Sequence, residues 1–273
     1  METNKGHLHL HTGASDGLIT IEDIAKSGIG FAAITDHDTM EGIEKFKLLE
    51  KQGIEIIPAI ELSARHMGKN MHIVVYYPEY KPEFIEALSS FRQKREQRGI
   101  RTAEKLNNLG FRISIEEMMR GNIVTKGTIA NSVFSYPENR ALLEKAGIRE
   151  KDAFIKSYLD DGMPASVELH GIEVKELFSM VDGVKVLAHP GHNLTMVKHD
   201  SIVADLKANY GLWGMEAWTR KHTEAEEEHY YCLARKLGLY PTMSNDVHFP
   251  EQLEKNNAPY YMLEAIRKQK RRK

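Results

Sequence analysis

One cysteine, Cys232, is all the thiol chemistry this 273-residue chain holds. That excludes an intramolecular disulfide and any zinc site built on thiolates. No apolar run approaches the roughly eighteen residues of a membrane span, and Met1-Glu2-Thr3-Asn4-Lys5 lacks the apolar core of a secretory leader. A soluble cytoplasmic protein with no membrane partner is therefore expected. Strong charge of either sign is missing as well: the net charge is −2, so no global field draws the chain to nucleic acid. Low-complexity linkers and internal repeats are absent.

The composition is otherwise that of an ordinary globular protein, with 41% hydrophobic and 28% charged residues. The tail from Arg267 through Lys268, Lys270, Arg271 and Arg272 to Lys273 is densely basic and reads as a solvated, frayed terminus. Thirteen histidines carry more information. Several stand beside Asp, Gly or Pro, where site residues on loops are found.

The first 80 residues read as alternating strands and helices. Strands are expected at 6–12, 31–34, 54–60 and 71–77, from alternation or from short β-branched runs. Thr20 with Asp23 resembles a capping box, Thr39 is placed to cap a second helix, and Gly28 and Gly53 close the two. From Pro82 the pattern becomes helical, with a long helix over 83–109 and shorter ones at 114–120, 128–134, 138–145 and 152–160. Alternation resumes with strands at 184–188, 212–218 and 239–244, and helices at 173–181, 199–210 and from Thr223 to Gly238. Repeated strand–helix units imply an α/β protein with a mostly parallel sheet, open or closed into a barrel. The expected organisation is one discontinuous domain of residues 1–81 and 166–273, interrupted by a helical insertion at 82–165.

Period two along the first strand would put His7, His9 and His11 on one face and Leu8 and Leu10 on the other. Three adjacent imidazoles are costly to bury unless something coordinates them. Asp16 follows on a turn. Thr35-Asp36-His37-Asp38 comes straight after the second strand, Glu61 at the end of the third, and His72 at the start of the fourth. His189-Pro190-Gly191-His192 and Asn245-Asp246-Val247-His248 both lie just beyond strands. Taken singly these pairs say little, but the carboxyl ends of parallel strands converge on one face, where sites are built.

Together these motifs resemble the PHP (polymerase and histidinol phosphatase) domain family, in order and approximate spacing, across residues 7–77 and 168–250. Within that family the chain is most similar to the small stand-alone phosphoesterases acting on nucleoside phosphates such as 3′,5′-bisphosphates, whose first insertion helix residues 91–110 also resemble. The resemblance implies a distorted (βα)7 barrel with a small helical insertion and three divalent ions. His9, His11, Glu61 and Asp246 would hold the first, with Glu61 shared with a second held by His72 and His189. Asp16, His37 and His248 would hold the third. A donor set of imidazole and carboxylate suits Mn²⁺, Fe²⁺ or Zn²⁺. Three such ions, offset by three carboxylates and a bridging hydroxide, leave about +2 of charge, matched to a phosphate monoester dianion. The hydroxide would attack phosphorus in line.

Three positions depart from the family pattern. His7 stands where the family has Asp, His192 where the bisphosphate phosphatases have Arg, and Thr125-Lys126-Gly127-Thr128 where an Arg-Pro-His stretch contacts substrate. Asp36, Asp38 and His7 are expected to orient imidazoles from behind. His192, Arg98, Arg220 and Lys126 are the candidate substrate-binding groups, and His222 the candidate for assisting the leaving group. Trp213 and Trp218 are expected in the core. The expected activity is hydrolysis of a small phosphate monoester, a nucleotide or nucleoside bisphosphate, with nucleic acid an unfavoured partner. Histidinol-phosphate phosphatase, a nuclease and a non-catalytic metal-binding module are the alternatives.

Overall fold

The computed structural model describes residues 5–119, 123–254 and 257–272. Among them, nine strands form one sheet: β1 Lys5–Leu10, β2 Phe31–Ile34, β3 Glu55–His66, β4 Lys69–Tyr80, β5 Ile172–Glu173, β6 Val181–Ala188, β7 Gly214–Trp218, β8 Tyr240–Met243 and β9 Ala258–Pro259. The main path runs β8-β7-β6-β4-β3-β2-β1-β9, with β5 beside β3. Among the described residues the ladders do not close into a ring. A single parallel bridge, Leu10 to Val247, links β1 to the segment after β8, through His11 N–H to the Val247 carbonyl (2.8 Å) and Val247 N–H to the His9 carbonyl (3.1 Å).

Most pairings are parallel, but β4 runs antiparallel to both β3 and β6. The cause is a two-residue turn, Met67-Gly68, with φ of 48° and 76°, the twist that suits a tight hairpin. The hairpin makes β3 and β4 longer than expected, and it sets Glu61 inside β3 rather than at its end. Because β4 returns, His72 near its start pairs beside Ser63 and Ala188, at the end of the sheet where the parallel strands finish.

The strict alternation expected for β1 is broken. Its register against β2 shifts between His7 and Leu10. Leu8 packs with Phe31, Ala33 and Ile57, whereas Leu10 packs with Ala32, Ile34 and Ile56, the opposite face of the same strands. A bulge changes which way the chain faces, so His7 parts from His9 and His11.

Helices Ile21–Lys26 and Glu224–Leu237 start in the capping boxes Thr20/Asp23 and Thr223/Glu226. In helix Glu41–Phe46 the N-cap position falls to Met40, and Thr39, one residue earlier, accepts the Glu41 N–H on Oγ1 at 3.3 Å. The carboxyl terminus also differs. Residues 260–270 form a helix that buries Met262, Leu263 and Ile266 against Leu8, Phe31 and Val184. Arg267 pairs with Glu55 and Glu264, and Lys270 with Glu79, so much of the basic charge is spent on the protein itself. Lys273 lies outside the described residues. Trp213 stacks on Tyr240 with ring centroids 4.8 Å apart, and Trp218 meets Tyr231 at 5.2 Å with the rings tilted by 37°; both pack against the core.

The chain divides into two compact units, Met1–Leu88 with His170–Lys273, and Ser89–Leu169. The first holds the sheet. The second is helical, around Leu106, Phe111, Ile129, Val133 and Phe154. Helix Pro82–Asn108 contributes Phe84 and Leu88 to the first core and Ala103 and Leu106 to the second. No helix of the described residues is long and apolar enough to cross a membrane.

Candidate metal centre

In the first unit, side chains from β1, β3 and β4 and from the segments after β1, β2, β6 and β8 meet at one end of the sheet. His9 Nε2 and His11 Nε2 stand 3.1 Å apart. Each is 3.2 Å from Glu61 Oε2. Asp246 Oδ1 closes the group, 3.4 Å from His9 and 3.0 Å from His11. The other Glu61 oxygen, Oε1, is flanked by His72 Nδ1 at 3.1 Å and His189 Nε2 at 3.0 Å. His37 reaches both ways: Nδ1 is 2.9 Å from Glu61 Oε2, and Nε2 3.9 Å from Asp16 Oδ2. His248 Nε2 lies 3.3 Å from Asp16 Oδ1. The nine residues thus gather into overlapping groups centred on the two carboxylates Glu61 and Asp16. Three groups have ligand atoms all within 4.8 Å of one another: His9, His11, Glu61 and Asp246; His11, Asp16, His37 and His248; and His37, Glu61 and His72.

The donor atoms are poorly served by the protein. Asp16 Oδ1, His37 Nδ1, Glu61 Oε2, His72 Nδ1, His189 Nδ1 and Asp246 Oδ1 are buried without a hydrogen-bond partner among the described residues. Buried polar atoms are rarely left so, and most of these face one another. A cage of imidazole nitrogens and carboxylate oxygens with unmet demand fits divalent cations.

The electrostatics agree. Burial alone would raise the Glu61 carboxyl, yet His9, His37 and His72 hold it well below its ordinary value. Asp246 is lowered likewise, against burial, by Lys221, His248 and His9. Burial pushes the His11 ring down, but Asp246 and Glu61 override it and bring it up to about 10. His9 is also raised, against burial, by Glu61, Glu216 and Asp246. Protons on these rings therefore balance the carboxylates wherever cations do not.

Backbone strain collects here. Asp38, His189 and Asp246 have φ of 50°, 25° and 50°, among six described non-glycine residues at positive φ; such conformations persist where surrounding structure enforces them.

The residues expected to steady the imidazoles divide. Asp36 accepts from Thr12 N–H and Oγ1, both at 2.7 Å, and from Ser15 Oγ at 2.6 Å. It fixes the turn between His11 and Asp16 instead of touching a ring. Asp38 accepts the Ser63 N–H at 2.7 Å, tying its loop to β3 beyond Glu61. His7, turned away by the bulge, bonds the Leu253 carbonyl at 3.0 Å. The direct partner is one the sequence reading missed. Glu216, fully buried in β7, sets Oε1 2.8 Å from His9 Nδ1 and accepts the His189 N–H on Oε2 at 2.8 Å. Its one sequence signal is a lone carboxylate within the run Gly-Met-Glu-Ala-Trp. Lys221 was missed too: its Nζ lies 2.7 Å from Asp246 Oδ2.

The expected substrate groups are placed as follows. His222 Nδ1 donates to the Ala217 carbonyl (2.9 Å), and Nε2 accepts the Gly191 N–H (2.9 Å). Both ring nitrogens are committed to backbone, and the ring would have to give up a bond to serve a leaving group. A Cβ on Gly191 would come within 2.8 Å of that ring, so the close approach needs glycine. Arg220 donates to the Asn245 and Asp246 carbonyls, pinning the loop that carries Asp246 and His248. Burial, then Lys221 and His189, push His192 down to about 2, leaving it a neutral ring. In the second unit, Arg98 is buried and donates to the Val124 carbonyl at 3.4 Å, while Lys126 pairs with Asp160 at 2.8 Å.

Sequence and structure comparisons give consistent relatives. The sequence profile of the PHP domain matches residues 7–159. Curated relatives include a 5′-3′ exoribonuclease of Haemophilus influenzae, 26% identical over 91% of this chain and 91% of that protein. The 5′-3′ exoribonuclease Rnm of Escherichia coli is 28% identical over 89% and 85%. The phosphoribosyl 1,2-cyclic phosphate 1,2-diphosphodiesterase of Eggerthella lenta is 27% identical over 88% and 93%. In fold, the chain is similar to an amidohydrolase from Chromobacterium violaceum with bound sulfate and no metal (TM-score 0.77, 22% identity, covering 91% and 89%). It is also similar to a protein from Bifidobacterium adolescentis described as a metal-dependent phosphoesterase (TM-score 0.75, 22% identity, covering 95% and 94%).

Proposed function

This chain belongs to the PHP domain family, and from that premise we propose that it is a metal-dependent phosphoesterase that hydrolyses a phosphate ester of a ribonucleotide, a nucleoside bisphosphate being the small form. The observation that carries the reading is the Glu61 carboxylate, buried and bracketed on its two oxygens by five imidazoles, with Oε2 left without a hydrogen bond among the described residues.

We assign His9, His11, Glu61 and Asp246 to one ion, Glu61, His72 and His189 to a second, and Asp16, His37 and His248 to a third. Divalent ions held there supply water ionised near neutral pH and positive charge against phosphoryl oxygens. The protein's own residues do the positioning. Glu216 keeps the proton of His9 on Nδ1, so that Nε2 faces the cage, and at the same time holds the His189 turn. Asp36 fixes the turn carrying Asp16. Arg220 and His222 brace the loops of Asp246 and His189.

A second reading, removal of nucleotides from the 5′ end of RNA, is favoured by the names of the relatives. Both readings use the same centre. The test is phosphate release by Mn²⁺-loaded protein from a nucleoside 3′,5′-bisphosphate, a 5′-nucleotide, histidinol phosphate and a sugar phosphate. Shortening of a 5′-phosphorylated oligoribonucleotide is followed alongside. Preference for the bisphosphate supports the first reading, and stepwise shortening of RNA the second. Fully loaded protein that acts on none of them would overturn both.

A further inference from the structure

A cationic side chain would add to the charge that ions bring against a phosphate ester dianion at this centre, and the arginine expected there is engaged elsewhere. His192 is neutral. Arg220 spends its guanidinium on the Asn245 and Asp246 carbonyls. Among the described residues, the ion pairs of Asp16, Glu61 and Asp246 include a single lysine or arginine, Lys221, at 2.7 Å from Asp246 Oδ2.

We infer that Lys221 is the phosphate-binding cation of the centre, donating to non-bridging phosphoryl oxygens of the substrate while its contact with Asp246 holds it in place. This rests on the phosphoesterase reading above. Three observations support it. Lys221 sits in a short turn fixed at both ends, by His222 on the Ala217 carbonyl and Gly191 N–H, and by Arg220 on the loop of Asp246. A lysine side chain normally loses much freedom when it engages a ligand, and here the backbone beneath it is already set. The ammonium has three donors, of which Asp246 takes one. Its side chain is also 25% exposed, so the pair is reachable from solvent, whereas Asp246 itself is 2% exposed. The two Asp246 oxygens divide the work: Oδ1 faces the imidazoles and Oδ2 faces Lys221.

The experiment uses the full chain loaded with Mn²⁺ and inorganic phosphate as the probe. Phosphate binding is measured by isothermal titration calorimetry, ion content by mass spectrometry, and steady-state kinetics on the best ester. For Lys221→Met we expect unchanged ion content, phosphate binding weakened at least about tenfold, and a larger change in KM than in kcat, since one charge-assisted contact made in both ground and transition states is removed. Lys221→Arg should recover most of the affinity. Should K221M fold poorly, Lys221→Gln, uncharged but still able to bond Asp246, carries the same expectation. Wild-type phosphate affinity in the uncharged variants overturns the inference. So does loss of ions in step with phosphate affinity, which would make Lys221 only a counter-charge for Asp246. Inactivity of the wild type on every ester would defeat the phosphoesterase reading instead, and phosphate binding would still decide the role of Lys221.

Discussion

Glu216 Oε1 lies 2.8 Å from Nδ1 of His9, with both side chains fully buried. Burial favours the neutral acid, but His9 and the hydrogen bond to it keep Glu216 below its ordinary value. The carboxylate therefore fixes the tautomer of a ring whose other nitrogen faces the cage. Glu216→Gln keeps the volume and one acceptor, so the fold should survive. Metal affinity should fall about 10- to 100-fold, read by competition with a fluorescent chelator. Unchanged affinity would show that the bond does not tune His9.

Glu61 is shared. Because its oxygens face different imidazoles, Glu61→Gln should lose about two ions per chain where a ligand serving one ion would lose about one. The value kcat/KM should drop by at least about a thousandfold, roughly 4 kcal/mol of transition-state stabilisation. Ion content measured on gel-filtered protein decides it: full loading in the variant breaks the assignment.

Proton balance predicts opposite pH behaviour with and without ions. In the ion-free chain His11 is raised from 6.5 to about 10, so its contribution is full below 6.5 and lost as pH rises towards 10. His192 is lowered from 6.5 to about 2, and its contribution is full above 6.5 and lost as pH falls. Ion-free stability should therefore be greatest near neutrality and decline to alkaline pH. Loading displaces the protons of His9 and His11, so the gap in Tm between Mn²⁺-loaded and chelator-treated protein should widen from pH 6.5 to pH 9. A gap that narrows contradicts the proton account.

The basic tail gives a prediction about stability rather than binding. Arg267 pairs with Glu55 and Glu264 and donates to the Tyr260 hydroxyl at 2.7 Å, from a side chain 26% exposed. Arg267→Ala should cost about 1 kcal/mol, as partly exposed pairs do, seen as a small shift of the denaturation midpoint. The salt dependence of any RNA cleavage should not change. A flattened salt dependence would show that Arg267 binds nucleic acid.

Chain order, residue types and local punctuation were legible without coordinates. Strand Phe31–Ile34, the capping box at Thr20 and the helical character of the described residues between 82 and 165 follow from apolar spacing and turn chemistry, which act over a few residues. The nine imidazoles and carboxylates were named through the resemblance of their motifs to the PHP family, and no local pattern by itself shows that they meet.

Long-range geometry decided the rest. The bulge that separates His7 from His9 and His11 depends on how β1 pairs with β2, and alternation along one strand cannot reveal it. Glu216 becomes a partner of His9 only because strands 207 residues apart in sequence meet across the sheet end. The hairpin turn brings His72 beside Glu61, and the helix over residues 260–270 turns a basic tail into part of the core. Such outcomes depend on burial and pairing between distant segments. Identity and spacing set which groups were available; tertiary packing chose which of them share a cavity, because only there does the loss of water make a partner necessary.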